Sequence, residues 1–112
     1  MEESILISIK EMLGISADDK GFDTDISIHI NSVFMILKRM GVGPSNGFRI
    51  NGTSERWSDF IQNDCVDFEG VKTYVYLKTK LIFDPPASAT TVQSMKELIN
   101  EFEWSLNIIA EN

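Results

Sequence analysis

The run ATTVQSMKELINEFEWSLNIIAE, Ala89 to Glu111, decides how this chain folds. Val92, Met95, Ile99, Phe102, Leu106 and Ile109 recur at alternating steps of three and four residues. On a helix that spacing brings all six onto one continuous stripe. Glu97, Glu101 and Glu103 fall away from it, as do Gln93, Asn100 and Asn107. Nothing inside the run breaks a helix. Asp84-Pro85-Pro86, in the preceding LIFDPPAS (81–88), sets where it begins, because residues before proline avoid helical angles. The rest of the chain has to cover the stripe.

Working outward from this helix, VKTYVYLKTKLIF places Val71, Tyr74, Leu77 and Leu81 on one face of a helix that stops at the Asp-Pro-Pro corner. YVYLKT alone is rich in strand-forming residues, but the unbroken length to Phe83 favours helix. Phe102 and Leu106 are expected to pack against Leu77 and Leu81, with Val33 and Leu37 on the other side. Ser54 is a candidate cap for a short helix that turns Trp57, Phe60 and Ile61 inward. VGPSNGFRINGT (42–53) is a Gly/Asn-rich loop; it lacks the lysine and the preceding strand of a phosphate-binding loop. Further upstream, Thr24 or Asp25 can cap a helix that runs to Gly41. Ile26, Ile30, Val33, Phe34, Leu37 and Met40 share its broad face, while Ile28, Met35 and Ile36 lie elsewhere. A helix apolar nearly all round is buried on several sides or meets another subunit. Near the N-terminus, Ile5, Ile9, Met12 and Leu13 make one face and Gly14 is placed as a stop. The expectation is all-α: a bundle of four to five helices at 2–13, 24–40, 54–62, 68–83 and 88–110, with a long C-terminal helix, a Gly/Asn-rich central loop and no substantial sheet.

At 112 residues the chain has room for one core, so a single domain over 1–112 is expected. The net charge of −7 argues against wrapping a nucleic acid by phosphate neutralisation. One cysteine, Cys65, cannot form an internal disulfide. No apolar run approaches a membrane span, and Met1-Glu2-Glu3 is acidic where a secretion signal is basic, so the chain is expected to stay where it is made.

Catalytic chemistry finds little support. His29 is the sole histidine and sits in the apolar second helix; Cys65 lies among Asp64, Asp67 and Glu69, which oppose thiolate formation. One cysteine and one histidine do not make a zinc site. Glu97 and Glu101, one turn apart, have the spacing to share a Mg²⁺ ion, as in all-α nucleotide pyrophosphatases. Such a site needs a facing acidic pair, and the neighbouring helix offers Lys72, Lys78 and Lys80 instead. Those lysines, interleaved with Tyr74 and Tyr76, also resemble a small basic patch, though an ordinary exposed helix face reads the same way.

Residues 71–107 bring a resemblance into view. A helix ending in apolar-Phe-Asp-Pro-Pro (Leu81 to Pro86), followed by a helix ending in Glu-x-Glu-Trp-x-Leu-Asn (Glu101 to Asn107), resembles the C-terminal half of the phage and prophage head–tail connector (adaptor, head-completion) proteins. The Gly41-Val42-Gly43 turn and Trp57-Ser58-Asp59-Phe60 also fit, so the likeness spans roughly 1–110. Ser105 departs from it, standing where arginine is expected. The resemblance implies a small helical protein without catalysis or cofactor that assembles as a ring under the portal. The ring extends the DNA channel, which DNA passes without sequence-specific binding, and meets the next head-completion or tail protein. It implies a place at the virion head–tail junction, after assembly in the host bacterial cytoplasm and with no membrane contact. Within that frame, Ile28, Met35 and Ile36 are the expected subunit contact, and Trp104, Ile108 and Ile109 the expected portal dock. Two other functions stay open on residues alone. One is a Mg²⁺-dependent nucleotide hydrolase using Glu97 and Glu101; the other is a cytoplasmic helical adaptor that dimerises through its last helix.

Overall fold

Two glycines end two helices in the same way. The computed structural model describes residues 4–61 and 68–111, with side chains at all of these except 68 and 107–111. In α1 (Ile5–Met12) the Gly14 and Ile15 amides turn back to the carbonyls of Glu11 and Lys10. In α2 (Asp23–Arg39) those of Gly41 and Val42 turn back to Lys38 and Leu37. Both glycines have φ near +84°, which a side chain would resist. Three further helices follow: a single turn α3 (Trp57–Phe60), then α4 (Phe68–Phe83) and α5 (Ala89–Glu111). The described residues hold no strand, only one isolated bridge between Ser4 and Arg56. The all-α expectation holds.

α4 is the middle layer. It packs on α2 and α1 on one side and on α5 on the other, whereas α2 and α5 share no comparable contact. Val71, Tyr74, Val75 and Thr79 of α4 are wholly buried, in one core with Ile5, Leu6 and Ile9 of α1 and Ile26, Ile30, Val33, Phe34 and Leu37 of α2. The hairpin register sets Tyr74 opposite Glu103 and Leu81 beside Ile99. Leu106 is buried, but farther from the corner than Leu81, so the expected pairing of those two does not occur. Nor is the stripe of α5 covered throughout. Ile99 and Leu106 are buried, Met95 and Phe102 only partly, because a single neighbouring helix covers a narrow seam.

Helix starts depart from expectation for a tertiary reason. α2 begins at Asp23 after Phe22, with no side-chain cap from Thr24 or Asp25. Asp23 is instead held by Lys10, whose ammonium lies 2.7 Å from its carboxylate. Lys10 is only 1 % exposed, and its ammonium also donates to the carbonyls of Ala17 and Asp19. α3 is shorter than expected and starts after Arg56, not Ser54; the Asp59 carboxylate accepts from the Arg56 amide at 2.9 Å. Met12 is 37 % exposed rather than core, while Ser8 is buried and accepts the indole N–H of Trp57 at 2.8 Å. α5 starts as expected, its Thr91 amide donating to the Ser88 hydroxyl.

The loop 42–56 has no regular structure, yet it is held. The Asn31 side chain of α2 accepts from the Ile50 amide at 2.7 Å and donates to its carbonyl at 3.0 Å. Phe48 and Phe60 pack on Phe34, with ring centroids 5.4 and 4.5 Å away. Gly43, at φ +92°, lies so close to the Phe60 ring that a Cβ there would collide with it. Lys10→Met keeps the buried stem and removes the cation. Asp23 is partly exposed, so the expected loss is that of charged hydrogen bonds, about 1.5–3 kcal/mol. A urea midpoint equal to wild type would show that the ion pair contributes nothing net.

Candidate contact surfaces

The core-facing residues of α2 centre on Ile26, Ile30, Val33 and Leu37, and Ile28 and Met35 stand on the opposite side of the helix. Both are 56 % exposed. Ile36, expected to join them, is half-buried at the flank. Beside Ile28 and Met35 the loop folds back to make an open groove of about 620 Å³. Phe48 and Met35 give it apolar walls, Asn31 and Ser32 a polar strip, and Lys38 and Arg49 its charge. The sequence placed Ile28 and Met35 off the core face, but not Phe48 and Arg49 beside them. That neighbourhood depends on the Asn31–Ile50 hydrogen bonds, which no local pattern announces.

α5 presents the second surface. Glu97, Glu101 and Trp104 lie on the side turned away from Ile99 and Leu106. Trp104 is 69 % exposed, the most exposed large apolar side chain among the described residues, and shares a shallow depression with Asn100, Glu101 and Ser105. The side chains of Ile108 and Ile109 lie outside the described set, though both residues continue the helix.

Glu103 behaves differently from Glu97 and Glu101. Its position four residues after Ile99 brings it to the edge of the seam, where it accepts a 2.8 Å hydrogen bond from Tyr74 and lies 3.8 Å from Lys78. Lys80 pairs with Asp84 at 3.1 Å, and Lys72 is also engaged, so the α4 lysines are structural partners more than an open basic strip. Glu97 accepts only a long 3.4 Å contact from Gln93. No group of three or more acidic, histidine or cysteine side chains gathers among the described residues. His29 is half-buried, its ring 6.4 Å from Phe83. Cys65 lies outside the described residues. No helix among the described residues is long and apolar enough to cross a membrane.

The fold and these surfaces define a small helical protein with two exposed, partly apolar faces of the kind that meet other proteins. The chain belongs to the phage connector protein family, whose model matches residues 5–112. It is thus a structural connector of phage particles, as the motifs at Leu81–Pro86 and Glu101–Asn107 implied. Neither the curated proteins nor the solved structures contain a match to it.

Burial, the hydrogen bond to Glu103 and the charge of that carboxylate together push the Tyr74 hydroxyl well above its ordinary pKa. Folding therefore favours protonated tyrosine. Its contribution is complete below the unfolded value, about pH 10, and is lost as pH rises beyond it. Tyr74→Phe should lose stability less steeply than wild type above about pH 10 in chemical denaturation. Equal slopes would show that the buried hydroxyl does not resist ionisation.

Proposed function

We propose that the protein is a non-catalytic ring subunit at the head–tail junction of a bacteriophage or prophage virion. Its copies meet under the portal, extend the channel through which DNA passes, and present a surface to the next head-completion or tail protein. The chain folds as one domain over 1–112 in this reading and needs no cofactor; assembly takes place in the host cytoplasm. The observation that carries the proposal is the pair of unlike faces on either side of α4. A closed ring needs two different surfaces that meet head to tail, and the α2 groove and the outer face of α5 are different surfaces on opposite sides. The net charge of −7 supports a channel that DNA traverses without adhering, since like charges disfavour adsorption.

The subunit contact is assigned to Ile28 and Met35, with Ile36 at its flank. The far end of α5, at Ile108 and Ile109, is assigned to the portal. Met35→Glu should leave the unfolding free energy within about 0.5 kcal/mol of wild type, because the side chain is exposed. The same variant should abolish ring formation, read as molar mass by light scattering, and prevent its incorporation into particles. Rings or infectious particles formed normally by this variant would remove the α2 face from the contact. Glu97→Gln with Glu101→Gln tests the hydrolase alternative: reproducible Mg²⁺-dependent nucleotide hydrolysis in wild type, lost in the double variant, would overturn the non-catalytic reading.

A further inference from the structure

We infer that the α2 groove of one copy receives Trp104 of the next, with Glu97 and Glu101 of that second copy set against Lys38 and Arg49. The inference rests on the ring reading and specifies its contact, moving Trp104 from the portal to the adjacent subunit.

Shape and charge both select this pairing. The groove has apolar side chains at Ile28, Met35 and Phe48 and about 620 Å³ of space open to solvent. Trp104 is a large apolar side chain, 69 % exposed, and Leu98, one turn before Glu101, is the other exposed large apolar side chain of α5 among the described residues. Tryptophan seated in a pocket beside arginine is the usual composition of an energetically dominant contact, and Met35 can adapt to an indole. Arg49 is placed to lie against the ring face. Lys38 and Arg49 form no ion pair among the described residues, and neither do Glu97 and Glu101. The charges they carry are opposite.

Charge also excludes the symmetric alternatives. Two grooves brought together would set Lys38 and Arg49 against their own copies, and two α5 faces would set Glu97 and Glu101 against theirs. Like charges facing across an interface disfavour both arrangements. Only groove against α5 face buries apolar surface on both partners and pairs opposite charges. Because the two surfaces lie on opposite sides of α4, each copy can use both at once, which propagates the contact head to tail.

Cysteine trapping tests the geometry. Ser32→Cys in the groove and Ser105→Cys beside Trp104 are made in separate full-length chains, each also carrying Cys65→Ser, and the two proteins are mixed and oxidised. The mixed disulfide is expected to exceed either homodimer by about tenfold, the ratio that a modest difference in contact free energy produces. A second experiment reverses charge: Lys38→Glu with Arg49→Glu should weaken self-association about tenfold or more, and adding Glu97→Lys with Glu101→Lys should restore it. A wild type that self-associates while the Ser32→Cys homodimer dominates, or while charge reversal has no effect, overturns this contact and leaves the ring reading standing. A wild type that is monomeric both in solution and in assembled particles overturns the ring reading, and the contact with it.

Discussion

α4 must be buried on two sides at once, and the rest of the structure follows from that constraint. Tyr74 turns toward α5 while Phe83 reaches α2, its ring edge-on to Phe22 with centroids 5.4 Å apart. A helix with two apolar sides needs two covering layers, and α2 with α1 supplies one while α5 supplies the other. Because α4 takes the middle, α2 and α5 become outer layers. Each then has a face directed away from the core, and those faces are where the exposed apolar side chains stand.

A core built from three helical layers leaves long connections to be fixed by other means. Lys10 gathers the α1–α2 connection onto its ammonium, binding two carbonyls and the first carboxylate of α2. Asn31 pairs with both backbone groups of Ile50, as a neighbouring strand would, and so holds the Gly/Asn-rich loop against α2. Trp57 plugs the space between this loop and α1, with its N–H satisfied by Ser8. Lys10 and Trp57 are buried and Asn31 half-buried, and each has hydrogen-bond partners there; a polar group left unmet at such a site would be costly. These anchors give the groove on α2 a second wall. Without the Asn31–Ile50 pairing, Phe48 and Arg49 would have no defined place beside Ile28 and Met35.

For a connector the consequence is a division of labour. The α4 seam and its covering helices carry stability, while the outward lines of α2 and α5 are free of that duty. Glu103, on the inner side of α5, meets Tyr74 and Lys78 of α4; Glu97, Glu101 and Trp104 sit on the outer side of the same helix. Side chains that differ by a single position in sequence, such as Glu103 and Trp104, thereby serve the interior and the exterior respectively. The periodicity of the helix separates the two roles.

Much of the helical content was legible in the chain. Three-and-four spacing located α2, α4 and α5, glycine marked the ends of α1 and α2, and Asp84-Pro85-Pro86 marked the corner, because helical periodicity, positive φ and proline's geometry are local properties. The motif from Leu81 to Asn107 likewise pointed to the family that the whole chain matches. Ile28, Met35 and Trp104 were legible as residues off the core-facing stripes. What sequence could not decide was set by partners distant in the chain. Asp23 begins α2 because Lys10 lies within α1's buried face; Glu103 turns inward because Tyr74 stands opposite it; the stripe of α5 is only partly covered because one helix adjoins it. Phe48 and Arg49 join the groove because a side chain nineteen positions earlier grips the Ile50 backbone. Spacing along one helix determines which residues share a face, but only the packing of separate segments determines what that face meets.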